Sequence, residues 1–269
     1  MSLLQALILG ILQGATEFLP VSSSGHLVLV PWLLGWDASS LTFDTTVHLG
    51  TLLAVVIYFR RDIWQIIIGV LKTLQDRNLN DIHGRLGWLI LAASIPAAVL
   101  GVLLADFFEQ LFAAPGAAAL FLLLTGLILF LSERMSRQTR PIESITWKDG
   151  LLIGLAQAGA IAPGISRSGS TIAAGLALGI KREAAARFSF LLALPIILGA
   201  GVFKLKDTLE VGIGSAEMAT LTLGFATAAI SGYACIHFLI SYLRRHSLYL
   251  FAFYCWAFGF FSLVLVWVR

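Results

Sequence analysis

The sequence predicts an all-α polytopic membrane protein, an inverted-topology repeat with six spanning helices and two re-entrant helical hairpins. Three observations carry that prediction. Of 269 residues, 58% are hydrophobic and 12% charged, with a mean hydropathy of +0.90, outside the usual range of soluble domains. The apolar runs come in two lengths, some long enough to cross a bilayer and some too short. Two Ser/Gly-rich segments, one in each half, are copies of each other.

Taken in chain order, Met1 to Leu12 has no basic n-region and no clear cleavage site, so it is not read as a removed signal peptide. The apolar runs 3–12 and 27–36 flank the first Ser/Gly segment. A span needs about 20 apolar residues, so runs this short read as half-helices of one hairpin. Runs 43–60, 86–104 and 116–132 follow as spans, the first with its polar start at the interface. An amphipathic stretch near 62–74 lies between two of them. Runs 150–162 and 171–180 frame the second Ser/Gly segment, and 187–203, 217–240 and 248–268 complete the set. The chain is one membrane domain over 1–269, with repeat 1 at about 1–140 and repeat 2 at about 145–269.

Charge sets the topology. Basic residues gather at Arg60-Arg61, Lys72 to Arg85, Arg134 to Lys148, Lys181-Arg182 and Arg244-Arg245. Acidic residues gather at Asp106 and Glu109 and from Asp207 to Glu217, with Lys204 and Lys206 dissenting. With the basic set in the cytoplasm, the first hairpin enters and leaves from outside and the second from inside. Each is followed by three spans, so the halves run in opposite directions. The balance of 18 basic to 15 acidic residues carries no nucleic-acid-binding stripe. Cys235 and Cys255 have no metal or redox spacing and read as packing residues.

The two copies hold the ionisable residues. The first reads Gln13-Gly14-Ala15-Thr16-Glu17-Phe18-Leu19-Pro20-Val21-Ser22-Ser23-Ser24-Gly25-His26, and the second Gln157-Ala158-Gly159-Ala160-Ile161-Ala162-Pro163-Gly164-Ile165-Ser166-Arg167-Ser168-Gly169-Ser170. Ungapped, Gln13 falls on Gln157, Ser22 on Ser166 and Ser24 on Ser168. An acid, an imidazole and a guanidinium in apolar surroundings mark a functional site. Pro20 and Pro163-Gly164 break the helices, with new helices expected from near Leu27 and Thr171. Opposed hairpins bring both tips together. Helix N-termini, hydroxyls and one arginine then suit a phosphate-like anion. For the serines alone, close helix packing is an equally good reading.

These residues resemble the BacA/UppP-type undecaprenyl-diphosphate phosphatases. Gly14 to His26 resembles their first signature, Pro163 to Thr171 their second, and Arg187-Phe188-Ser189-Phe190-Leu191-Leu192-Ala193-Leu194-Pro195 a further stretch. The resemblance implies a hydrolase of the bacterial cytoplasmic membrane that removes the terminal phosphate of undecaprenyl diphosphate. Its product, undecaprenyl phosphate, is the carrier recycled for cell-wall synthesis. The resemblance also implies a divalent cation, Mg²⁺ or Ca²⁺, and a link to bacitracin resistance. Its partners are the prenyl diphosphate and bilayer lipids, with a homodimer as a candidate assembly. One departure stands out, because Gln13 occupies a place where the family often has glutamate. An amide oxygen can bind a cation but cannot take a proton at neutral pH.

On this reading Arg167 clamps phosphate, with Ser22, Ser23, Ser24, Ser166, Ser168 and Thr171 as binding groups. Glu17 and Gln13 hold the cation, or Glu17 orients His26. His26 is a base or the attacking group, and in a second route Ser23 is the nucleophile with His26 as its base. Thr171 opens the second helix. His48 reads as an interfacial or packing residue, and Glu183 with Arg187 as a helix-surface pair. The rival class is a transporter or flippase for an anion or lipid phosphate, which shares broken helices and inverted repeats. Proton-transfer groups beside the anion site favour hydrolysis.

Overall fold

A computed structural model describes the backbone of residues 1–211 and 215–268, and side chains outside 203–216. The acidic connection from Asp207 and the dissenting Lys204 and Lys206 lie outside the described side chains. Among the described residues the secondary structure is helical apart from one isolated bridge between Arg140 and Ile180.

The first hairpin is α1 (Leu3–Phe18) and α2 (Ser23–Leu34). A capping box of Ser2 and Gln5 starts α1, which ends just before Pro20. Gly35, at φ +67°, closes α2 in the left-handed conformation that glycine adopts without strain. The second hairpin is α8 (Trp147–Gly159), opened by a Thr146–Asp149 capping box, and α9 (Arg167–Ala177). At 1.5 Å per residue these arms span about 16–24 Å, short of the roughly 30 Å hydrocarbon core.

Among the described residues six helices are long and apolar enough to cross a membrane: α3 (Leu41–Tyr58), α5 (Ile82–Leu103), α7 (Pro115–Met135), α10 (Arg182–Val211), α11 (Ser215–Leu243) and α12 (Tyr249–Val268). Two helices lie between them, α4 (Arg60–Asp76) and the short α6 (Ala105–Phe112). Along α4 a stripe of Trp64, Ile67, Ile68, Leu71 and Leu74 is exposed. That pattern suits a helix lying in the membrane interface. Large apolar side chains are likewise exposed along the long helices, Ile230 and Phe260 among them. In water such a surface would aggregate, whereas in lipid it is solvated. The chain is a multi-pass membrane protein.

The halves interlock. Helix α1 of the first half lies against α11 of the second, and α8 of the second against α5 of the first. Helix α3 packs on α11 and α10 on α5, while α7 and α12 pair with each other. Small residues set the approach. A Cβ on Gly10 or Gly14 would overlap Thr227, Ser231 or the Gly224 and Ala228 carbonyls of α11. One on Gly154 would overlap the Ala93 carbonyl of α5. Close backbone contact of this kind is how helices gain dispersion energy where lipid competes for every larger side chain.

Two expectations are corrected. The hairpins' second helices begin at Ser23 and Arg167, not near Leu27 and Thr171. Ser22 and Ser166 cap them, so each Ser/Gly run is a first helical turn and Thr171 sits one turn inside. Glu183 and Arg187 do not pair along α10. Arg187 bonds Asp62 of α4 at 2.8 Å, and Glu183 bonds Arg244 at the end of α11 at 2.9 Å. Neighbouring helices offer each side chain a partner, which replaces the weak intrahelical pair.

The base of the second hairpin is tied by Arg140. Its guanidinium donates to Asp149 at 2.5 and 3.3 Å, to the Leu178 carbonyl at 2.9 Å and to the Ser144 carbonyl at 2.8 Å. These bonds join the start of α8 to the end of α9. Burial raises the Asp149 carboxyl, but hydrogen bonds from Arg140 and Thr146 outweigh it and hold it below the ordinary carboxylate range. A depressed folded-state value stabilises the fold above the unfolded value and is lost as pH falls through the folded one. Asp149→Asn is therefore expected to cost about 1.5–3 kcal/mol, the range for hydrogen bonds to a charged group. Thermal unfolding in detergent at pH 7 checks this, and the gap from wild type should close as pH falls below about 4.

Candidate active site

Both hairpin tips use one capping design. Ser22 Oγ accepts from the Gly25 amide at 3.2 Å and lies 3.2 Å from Ser24 Oγ. Ser166 Oγ accepts from the Gly169 amide at 3.0 Å and lies 3.2 Å from Ser168 Oγ. The turns before the caps differ. Ser22 has φ +70°, unusual for a residue with a side chain, whereas in the second tip the positive φ falls on Gly164, at +95°. A Cβ on Gly164 would overlap the Ala118 carbonyl, so the second tip sits directly on α7. Thr125 of α7 fixes it, donating to the Gly164 carbonyl at 2.8 Å and accepting from the Ser166 amide at 3.0 Å.

The tips meet. Arg167 Nη2 donates to Glu17 Oε1 at 2.8 Å, and Ser168 Oγ donates to the Leu19 carbonyl at 3.2 Å. A Cβ on Gly25 would come within 2.9 Å of the Gly164 Cα, so the two backbones touch there. Glu17 Oε2 accepts from Ser23 Oγ at 2.6 Å and from Gln13 Nε2 at 2.9 Å. His48 Nε2 lies 3.7 Å from the same oxygen, with Nδ1 turned to the Asp44 carbonyl at 2.7 Å. On the far side Arg167 Nη1 donates to the Ser189 carbonyl at 3.3 Å. Thr171 Oγ1 stands 2.6 Å from Ser189 Oγ and 2.8 Å from the Arg167 carbonyl.

Gln13, Glu17, Ser23 and Arg167 thus form one bonded cluster, flanked by Ser22, Ser24, Ser166 and Ser168, with Thr171 supporting Arg167 from behind. The Arg167 side chain is only 15% exposed and Glu17 is buried. Removing one member of such a pair strands the other charge, at a cost of about 3–5 kcal/mol. His26 stands apart. Its Nδ1 lies 2.7 Å from the Ser22 carbonyl and its Nε2 2.7 Å from Tyr254 Oη. Among the described residues neither Glu17 nor Ser23 is bonded to it.

Sequence reasoning missed four contributors. His48 lies in the apolar run that forms α3, where the sequence alone points to an interfacial or packing residue. Ser189 carried a signal, since it falls in the Arg187-Phe188-Ser189-Phe190 stretch already singled out. Thr125 and Tyr254 are isolated polar residues in apolar helices, and nothing local marks them.

For a divalent cation the donors are Glu17 and the Oε1 of Gln13, which is buried and, among the described residues, has no hydrogen-bond partner. No group of three or more His, Cys, Asp and Glu side chains forms a metal cage among the described residues. Mg²⁺ is commonly held by one or two carboxylates plus substrate phosphates and water. One carboxylate and one amide oxygen fit that mode, with the substrate supplying the remaining oxygens.

The chain matches the family model described as bacitracin resistance protein BacA over residues 6–261. It is 47% identical over 255 residues to the undecaprenyl-diphosphatase of Pelobacter propionicus, covering 94% of this chain and 93% of that one. Identity to the undecaprenyl-diphosphatase of Rubrobacter xylanophilus is 45% over 260 residues, 96% of each chain. With that of Geotalea daltonii it is 45% over 267 residues, 99% of each. The chain belongs to the BacA family.

Proposed function

We propose that the protein removes the terminal phosphate of undecaprenyl diphosphate, giving undecaprenyl phosphate and inorganic phosphate, and so recycles the lipid carrier for peptidoglycan synthesis. The observation that carries this reading is the cluster joining Arg167 of one hairpin to Glu17 and Ser23 of the other. It combines an anion clamp, a base and a nucleophile at one place. The hydrolase works in the bacterial cytoplasmic membrane, with the hairpins entering from opposite faces as re-entrant elements. Irregular backbone at that depth is tolerated because each tip is covered by protein.

The diphosphate docks on Arg167 and on the first amides of α2 and α9, which have no intrahelical acceptor. Serine hydroxyls on both tips complete the cradle. Ser23 Oγ already donates to Glu17, so it passes its proton there as it attacks the terminal phosphorus. The bond to the bridging oxygen breaks and undecaprenyl phosphate leaves. Water then cleaves the phosphoserine, with His26 as the base. A divalent cation, Mg²⁺ or Ca²⁺, on Glu17 and Gln13 supplies additional charge neutralisation when bound. His48 and Gln13 hold the Glu17 carboxylate in register.

Protein purified in detergent is expected to release phosphate from undecaprenyl diphosphate, an outcome a transporter that needs sealed compartments would not give. Arg167→Ala should lose at least about 10²–10³ in kcat, the typical cost of removing a donor aimed at developing charge. Arg167→Lys should also fall by more than tenfold, because an ammonium cannot reproduce the planar fork that bonds Glu17 and Ser189 together. Near-normal turnover in Arg167→Ala, with the protein monodisperse, would falsify the assignment. A rapid quench should trap phosphate on Ser23, and its appearance on His26 instead would remove the serine route. His48→Ala should slow turnover by about tenfold, equivalent to roughly 1.4 kcal/mol, read as kcat at saturating substrate.

A further inference from the structure

His26 is the base required above, yet it is sealed. It is 1% exposed and packs against Phe258 (ring centroids 4.9 Å apart, planes at 18°) and Tyr254, which also contact each other. Both ring nitrogens are engaged. The partner of Nδ1 is the Ser22 carbonyl, which can only accept, so Nδ1 carries the proton. In the neutral ring Nε2 is then a lone pair, and the Tyr254 hydroxyl at 2.7 Å donates to it. The two rings are nearly parallel, at 7°, with centroids 5.7 Å apart. Tyr254 is 43% exposed. Among the described residues, the one polar atom through which His26 can exchange a proton with its surroundings is therefore the Tyr254 oxygen.

We propose that Tyr254 is a catalytic residue, relaying a proton between the hydrolytic water and the buried His26; this rests on the hydrolase reading given above. His26 lies three residues after Ser23 on α2, so the two share a helix face. In the second half-reaction a water O–H bond breaks, and its proton goes to Tyr254 Oη as the phenol's own proton moves to His26 Nε2. The resulting hydroxide bonds to phosphorus and the bond from phosphorus to Ser23 Oγ breaks. Ser23 recovers the proton left on Glu17. The imidazolium, steadied by the Ser22 carbonyl, returns its proton through Tyr254 to the departing phosphate. Tyr254 ends as a neutral phenol, so no net charge remains on the dyad.

Tyr254→Phe tests this by removing one oxygen while keeping the ring that stacks on His26 and Phe258. The expected result is a fall in kcat of about 10²-fold, as for loss of a general base, with KM falling in parallel so that kcat/KM stays within about twofold of wild type, because only the step after phosphoserine formation is slowed. Phosphoserine at Ser23 should accumulate in Tyr254→Phe during turnover, as it should in His26→Ala, whereas a general loss of fold or of substrate binding would leave no such intermediate. The double variant His26→Ala/Tyr254→Phe should be no slower than His26→Ala alone, since both residues serve one relay. If Tyr254→Phe turns over within about threefold of wild type while His26→Ala is slow, the relay is wrong and His26 reaches the water directly. Multiplying losses in the double variant overturn it equally. Absence of phosphate release by the wild-type protein would instead overturn the hydrolase reading itself.

Discussion

The buried contact between Glu17 and Arg167 is the constraint around which the molecule is arranged. Each charge alone would cost several kcal/mol to remove from water, and mutual attraction recovers this only when every remaining hydrogen-bonding position is filled. That condition is nearly met. Glu17 also accepts from Ser23 and Gln13, and Arg167 also donates to Ser189. Because the partners come from different hairpins, satisfying them fixes how the halves dock. The Gly10, Gly14 and Gly154 contacts that let α1 and α8 sink into the opposite halves serve the same end. In the proposed reaction the pair is a resting arrangement. An incoming diphosphate competes for Arg167, which frees Glu17 to accept the Ser23 proton.

The halves share a scaffold and divide the chemistry. At the offset that places Ser22 on Ser166, Ser23 corresponds to Arg167, Glu17 to Ile161 and His26 to Ser170. The caps, whose bonding is the same in both tips, are scaffold, and what varies around them is the reactive set. Gln157 shows the consequence of that division. Its counterpart Gln13 bonds Glu17, but with isoleucine in the acid's place both polar atoms of Gln157 are buried without a partner among the described residues. The cost of such a group is about 1–3 kcal/mol. The amide is thus a feature of the repeat that only one half uses.

Much of this was legible in the sequence, because periodicity and motif order are local properties. Run lengths separated six long helices from two short-armed hairpins, and the paired Ser/Gly segments located both tips. The helix starts were misplaced for a physical reason. Serine and glycine read as loop, yet at an N-cap they are the residues that begin a helix. Other misses came from packing at long range. His48 reaches Glu17 from α3, and Tyr254 reaches His26 across 228 positions of chain. Each is a single polar residue in an apolar helix, with no neighbour to give it a pattern. Glu183 and Arg187 had the opposite problem, a local pattern that stronger partners on α4 and α11 override.

The position of Tyr254 also bears on how a lipid substrate would reach a buried clamp. Around it α12 exposes Leu250, Phe253, Phe260 and Phe261, so the ring of Tyr254 borders an otherwise apolar face while its hydroxyl is held by the buried His26. An isoprenoid tail is most stable where the bilayer or such a face surrounds it, while its diphosphate requires the charges at the hairpin tips. A site sunk wholly inside the protein would force the tail out of lipid. One wholly exposed to lipid would leave Glu17 and Arg167 without cover. Two short hairpins meeting beside exposed long helices satisfy both requirements, because the head group can enter between the tips while the tail stays along α12. The same geometry separates the charged cluster on Glu17 from the His26–Tyr254 pair. Nucleophile and water activation in the proposed reaction then fall to different groups, and neither base must reset before the other acts.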